Sequence, residues 1–368
     1  MNFQFYMPTR VLSGADCIKN NSARLKELGT KAFIMSGKSS AANNGSLHDM
    51  CEALKAEGME WCHYNEVKPN PSLEDVRSAA EQANKCEADF IVALGGGSAM
   101  DAAKAVAVLA AEPVSNEALL GQRTFNKVLP LAVVPTTSGT GSEVTPYSIL
   151  TNNAMETKSF LNSEQVFPKL AFLDGRYTLE LPRDITNATV IDALSHSAEA
   201  YLAVRATPPA QALALESLRL IGSVLPSLAN PEPLSVEQRD TLLYASMLAG
   251  IVIAQSGTTA VHAMGYSLTY FKGLDHGVAN GLLMTEYFRF IEKARPEEVG
   301  KIREALGFAS LDDFGALVET LLGTFTLSKE EVTKFAGIAV KAGNILNTNP
   351  QPTEEDLYGM LSNCFLGE

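Results

Sequence analysis

Asp192 and His196 lie four residues apart in "IDALSHSAEAYLA", one helical turn from each other in an alanine-rich stretch where burial makes charge costly. Such a pair is either a satisfied local contact on a solvated face or part of a metal site. The remaining histidines bear on the choice. Of five in the chain, at 48, 63, 196, 262 and 276, two fall close together in "AVHAMGYSLTYFKGLDHGVANG". A lone histidine on an apolar face is more often a core residue than a ligand. One carboxylate and three imidazoles on neighbouring helices, by contrast, make a four-ligand set for a divalent cation. Asp192, His196, His262 and His276 are therefore the candidate metal ligands. A bound ion would polarise a substrate oxygen as a Lewis acid. The sequence offers no Ser-His-Asp or Cys-His grouping for nucleophilic catalysis.

A second chemistry sits in the first half. "LGGGSAMDAAK" runs from an apolar strand through three glycines into a helix, where backbone amides and the helix N-terminus would face an anion. Gly96, Gly97 and Ser98 are candidate cofactor contacts. Asp101 is either another contact or the far half of a capping box with Ser98. "PTTSGTGSEVT" follows a further strand and offers the hydroxyls of Thr136, Thr137 and Thr140. Either loop alone reads as an ordinary turn. Two of them at strand ends in one half of the chain point to a nucleotide site.

These residues need elements to position them. Apolar, strand-like runs at 31–37, 59–67, 88–98 and 129–139 alternate with helical patterns at 46–58, 72–87 and 98–112. That alternation predicts a parallel sheet with helices on both faces. From about residue 175 no strand-like run recurs, and helical patterns follow at 187–204, 208–228, 236–254, 256–271 and 277–294. A chain of 368 residues exceeds the usual single core. The expected organisation is an α/β dinucleotide-binding domain over 1–178 and an all-α domain over 179–368.

A net charge of −13 argues against a nucleic-acid or anionic-membrane surface and leaves room for a local basic pocket for an anionic cofactor. The longest apolar region, "YASMLAGIVIAQSGTTAVHAMGYSL", is broken by polar residues and reads as a buried helix pair. Five cysteines without a CxxC pair read as reduced thiols. With no secretory layout in "MNFQFYMPTR", the expected location is cytoplasmic.

The motifs "GGGSAMDAAK", "PTTSGTGSEVT", "DALSHSAEAYL" and "HAMGYSLTYFKGLDHGVANG", with "FYMPTRVLSG" and "VKPNPSLEDV", together resemble the iron-containing (group III) alcohol dehydrogenase family over essentially the whole chain. The resemblance implies a dehydroquinate synthase-like architecture with nicotinamide and a divalent metal in the cleft between two domains. It assigns the metal to the four ligands already named. It further implies that Lys158 approaches the nicotinamide ribose and Asn70 the adenosine side. One position departs from the pattern: many members carry a second histidine four residues after the first C-terminal one, and here it is Tyr266. A tyrosine hydroxyl is a poorer proton shuttle at neutral pH, so a relay and a packing role both stay open.

NAD-using members of that family tend to place an aspartate at the turn ending a strand of the nucleotide fold, where an acid bonds the adenosine ribose. Here the turn reads Gly37, Lys38, Ser39, Ser40. An ammonium and two hydroxyls in place of an acid suit a 2′-phosphate, which predicts NADP(H). The expected activity is NADP(H)-linked hydride transfer between a short-chain alcohol or diol and nicotinamide, in a homodimer. The alternatives are a glycerol-dehydrogenase-like zinc enzyme, a dehydroquinate-synthase-like sugar-phosphate cyclase, or a non-catalytic nucleotide-binding protein. Beyond Lys272, the metal-site segments offer little of the basic charge a cyclase needs.

Overall fold

The computed structural model describes residues 2–121 and 123–367. They form two compact units: an α/β unit of Met7–Leu181 and Ser235–Leu243, and a helical unit of Met1–Tyr6, Pro182–Leu234 and Tyr244–Glu368. The division falls at Leu181, three residues past the expected 178, and two short segments change sides. Tyr6 exchanges hydrogen bonds with the Gln255 side chain (3.0 and 2.8 Å), tying the segment that ends there to the helical unit. Asp240 accepts from the Gly175 amide (2.8 Å), holding Ser235–Leu243 to the α/β unit. Hydrophobic periodicity carries no signal for either exchange.

The described residues hold eight strands: β1 (Arg10–Ser13), β2 (Lys31–Ser36), β3 (Glu60–Tyr64), β4 (Phe90–Gly95), β5 (Leu131–Pro135), β6 (Tyr147–Asn152), β7 (Thr157–Asn162) and β8 (Leu170–Leu173). Six of them form an all-parallel sheet in the order β1-β8-β5-β4-β2-β3. Every residue of β4 and β5 is buried, as a parallel sheet covered on both faces requires. The helices Ser46–Ala56, Leu73–Lys85 and Gly97–Leu109 supply the crossovers.

The chain leaves β2 for β3 on one side, then returns past β2 to β4 on the other. The carboxyl ends of β2 and β4 therefore flank a topological switch point, where open α/β sheets bind ligands. Ser36 lies beside Leu94 and Gly95 beside Pro135, so the loops after β2, β4 and β5 emerge side by side.

β6 and β7 form a separate antiparallel hairpin after the threonine loop. The short edge strand β1, its neighbour β8 and this polar hairpin lie outside the strands expected from sequence.

The expectation of reduced thiols fails at one pair. Cys62 on β3 and Cys86, which caps the Leu73–Lys85 helix, are joined by a disulfide across 24 residues. The helix returns its C-terminal end to β3, a proximity that cysteine spacing does not reveal. Cys17, Cys51 and Cys364 are free.

In the helical unit, Arg183–Leu202, Pro208–Leu228, Ala260–Lys272 and His276–Glu292 are followed by Pro296–Leu306, Leu311–Leu322, Lys329–Ala339 and Glu354–Phe365. The helix Val236–Ser256 begins among residues of the α/β unit. Gly277 sets the approach of two of these helices, since a Cβ there would lie 1.9 Å from the Ala188 carbonyl oxygen. No single helix among the described residues is long and apolar enough to cross a membrane. Val236–Ser256 and Ala260–Lys272 would reach that length only as a pair, and they meet at 110°.

Candidate metal centre and nucleotide loops

Three helices deliver the four ligands predicted from sequence. Arg183–Leu202 carries Asp192 and His196, Ala260–Lys272 carries His262, and His276 is the first residue of His276–Glu292. One ligand atom from each comes within 4.8 Å of all the others. His196 Nε2 lies 3.1 Å from His262 Nε2 and 3.8 Å from Asp192 Oδ1, and His276 Nε2 lies 3.9 Å from the same oxygen. Asp192, His196 and His262 are buried.

The donor set fits a divalent cation on its chemistry. His262 Nδ1 donates to Glu199 Oε2, which leaves the Nε2 lone pair directed at the cluster. Glu199 is itself held by the Thr259 amide (2.8 Å) and hydroxyl (2.6 Å). The Asn280 amide nitrogen lies 3.2 Å from Asp192 Oδ1, His262 Nε2 and His276 Nε2, while its buried Oδ1 has no hydrogen-bond partner among the described residues.

Burial would raise the Asp192 carboxyl, but the three imidazoles beside it and the Asn280 amide hold it below its usual value. Burial opposes charge on His262 as well, and there Glu199 and Asp192 prevail and raise it. The centre is thus already electrostatically set to keep its acid ionised.

Tyr266 belongs to this cluster. Its ring meets His262 edge-on at 6.2 Å and lies nearly parallel to His276 at 5.8 Å, with 11° between planes.

Sequence reading missed Glu199 and Asn280. Glu199 sits seven residues after Asp192, so Asp192, His196 and Glu199 share a helix face at i, i+4 and i+7. That spacing was the available signal.

In the α/β unit, the glycine turn, the threonine loop and the Gly37–Ser40 turn all lie at the carboxyl edge of β4, β5 and β2. Thr137 and Thr140 pack directly onto the glycines: a Cβ on Gly96 would lie 2.8 Å from Thr137 Oγ1, and one on Gly97 would lie 2.6 Å from Thr140 Cγ2. Thr136 is buried beside them, its amide donating to the Gly95 carbonyl (3.0 Å).

The capping box, one of the two readings open for Ser98 and Asp101, is not formed. The helix starts earlier, with Gly96 as N-cap, and Ser98 Oγ instead accepts from the Asn70 amide (3.1 Å). Asp101 turns to the threonine-loop side, accepting from Ser142 Oγ (2.6 Å) and the Ile149 amide (3.0 Å). Its hydrogen bonds hold that loop, a role other than a helix cap.

Lys104, fully buried and unnoticed in the sequence, donates to Ser142 Oγ (2.7 Å), Thr145 Oγ1 (3.1 Å) and the Tyr147 carbonyl (2.7 Å). Burial lowers it to about 8 against the pull of Asp101 and Glu143. The helix after the glycine turn is thereby fastened to the threonine loop.

Lys158 on β7 donates to Asn70 Oδ1 (2.8 Å) and Thr151 Oγ1 (3.0 Å), and Asn70 has a left-handed backbone at φ 53°. Ser98, Asn70 and Lys158 therefore form one hydrogen-bonded chain beside the glycine turn. Burial brings Lys158 down to about 8, with Asp101 opposing.

Residues 8–175 match the family described as iron-containing alcohol dehydrogenase, and residues 186–365 match the Fe-containing alcohol dehydrogenase family, C-terminal. A sulfoacetaldehyde reductase from Bilophila wadsworthia (strain 3_1_6) is 31% identical over 378 residues, covering 97% of each chain. An NAD-dependent methanol dehydrogenase from Bacillus methanolicus is 30% identical over 305 residues, covering 82% of this chain and 80% of that one. The crystal structure of an iron-containing alcohol dehydrogenase from Thermotoga maritima superposes with a TM-score of 0.91 at 38% identity, covering 99% of both chains. These matches run through both units and include the segments that carry the four ligands. The chain belongs to the iron-containing alcohol dehydrogenase family and is an oxidoreductase of alcohols and aldehydes.

Proposed function

We propose that the protein interconverts a short-chain alcohol or diol and its aldehyde with NADP(H), using a divalent cation, ferrous iron foremost and zinc as the alternative. The observation that carries this reading is the convergence of Asp192, His196, His262 and His276, with Glu199 fixing the tautomer of His262. When bound, the cation supplies Lewis-acid polarisation of the substrate oxygen and the nicotinamide supplies or accepts hydride.

The chain's own contribution is positional. Asp192 and the three histidines hold the ion. The Gly96 and Gly97 amides and the N-terminus of the following helix would hold the dinucleotide phosphates, with hydroxyls from Ser98, Thr136, Thr137 and Thr140 available beside them. Lys158, with a value of about 8, stays an ammonium at neutral pH and would donate to ribose oxygens, braced by Asn70. Asp101 acts indirectly, by holding the threonine loop.

The preference for NADP(H) rests on Gly37, Lys38, Ser39 and Ser40 at the end of β2, a turn without an acid. Short substrates are supported by the names of two relatives, which point to sulfoacetaldehyde and methanol. The test is oxidation of NADPH and NADH with a panel of short aldehydes, on stripped protein and after ferrous or zinc reconstitution. Activity restored by metal and faster with NADPH is expected. Equal rates with stripped protein would overturn the metal chemistry, and a large NADH preference would overturn the reading of the β2 turn.

A further inference from the structure

His276 is the most exposed of the three clustered histidines. Its side chain is 33% exposed, against 6% for His196 and 3% for His262. It is also the first residue of its helix, and the N-cap, Asp275, makes no side-chain capping bond. Backbone at that position lacks the full set of helical hydrogen bonds.

Ligation depends on the imidazole plane as well as on its distance, and a ring stacked on this imidazole bears on that plane. Tyr266 is so placed. It lies on a different helix, four residues after His262, and so faces the same side as that ligand. Its ring is nearly parallel to His276, at 11° and 5.8 Å, an offset stack, and edge-on to His262, at 78° and 6.2 Å. One aromatic ring thus touches two ligands from two helices.

We infer that Tyr266 is a positioning residue for the metal centre, fixing the ring plane of His276 by stacking, with the hydroxyl dispensable for that role. The inference rests on reading the four-residue cluster as a metal site. It separates Tyr266 from a proton-relay role, which needs the hydroxyl and not the ring face.

The experiment is titration of stripped protein with Co²⁺, read both by chelator competition and by the visible ligand-field spectrum, for wild type, Tyr266→Phe and Tyr266→Leu. Thermal unfolding of the stripped proteins checks that each is folded. Tyr266→Phe is expected to keep the wild-type affinity and spectrum. Tyr266→Leu is expected to bind about 10–100-fold more weakly, the usual cost of losing an outer support of a ligand, and to show a changed spectrum. Wild-type affinity in Tyr266→Leu overturns the inference, and so does an equal loss in both variants, which would assign the effect to the hydroxyl. If wild type itself takes up no divalent ion, the reading of the cluster fails and the inference falls with it.

Discussion

Glu199 accepts a hydrogen bond from His262 Nδ1, and it does so from the same helix that carries Asp192 and His196. One helix face therefore supplies two candidate ligands and the support for a third. Glu199→Ala is expected to weaken metal affinity by about 10–100-fold. It should also destabilise the protein by about 1–3 kcal/mol, because the Thr259 and His262 donors lose their buried acceptor. Glu199→Gln, which keeps one acceptor oxygen, should fall between. Chelator competition and urea unfolding measure the two effects separately.

Gly277→Ala tests the helix contact next to His276. The new Cβ would meet the Ala188 carbonyl oxygen at 1.9 Å, and a backbone atom cannot swing aside. A loss of about 1–3 kcal/mol is expected from overpacking, together with weaker metal binding as His276 is displaced. Unchanged unfolding midpoint and affinity would show that the helices part without cost.

Gly37→Asp addresses the dinucleotide. A Cβ at Gly37 has no neighbour closer than Ser40 Oγ at 3.5 Å, so the side chain fits. An acid at this turn should repel a 2′-phosphate and lower kcat/KM for NADPH by about 10–100-fold, or 1.4 kcal/mol per tenfold. The value for NADH should hold or rise. A parallel fall for both cofactors would mean that the substitution damages the turn and does not discriminate phosphate.

Glu143 and Lys104 give the α/β unit a pH signature. Burial raises Glu143 from 4.5 to about 7, and its Oε1 has no hydrogen-bond partner among the described residues. A folded value above the unfolded one means the protonated form is favoured in the fold. Its stabilisation is complete below 4.5 and is lost as pH rises through about 7. Stability should therefore fall over that window, by at most about 1.4 kcal/mol per pH unit, and Glu143→Gln should flatten the slope. Lys104, lowered from 10.5 to about 8, acts oppositely: its penalty is present below 8 and is relieved as pH rises towards 10.5. Urea midpoints across pH report both.

Much of the centre was readable before any coordinates. Histidine is rare in this chain, so three in helical segments plus an acid one turn from one of them stand out. Glu199 did not, because a glutamate among serines and alanines looks like a solvated residue. Lys104 was hidden for the same reason: a lysine in "DAAKAVAVLAA" suggests a snorkelling surface side chain, and only the fold shows its ammonium enclosed by Ser142, Thr145 and Tyr147. The central strands were legible as continuous apolar runs. β7, "TKSFLN", was not, since most of it is only half-buried and Leu161 alone is fully buried. The Cys62–Cys86 bridge depends on the return path of a helix, which spacing does not encode.

The contact of Thr137 with Gly96, and of Thr140 with Gly97, ties the sizes of residues some forty positions apart. Neither member of a pair is free to drift alone. A side chain gained at 97 demands one trimmed at 140, so the change is tolerable only as a matched exchange.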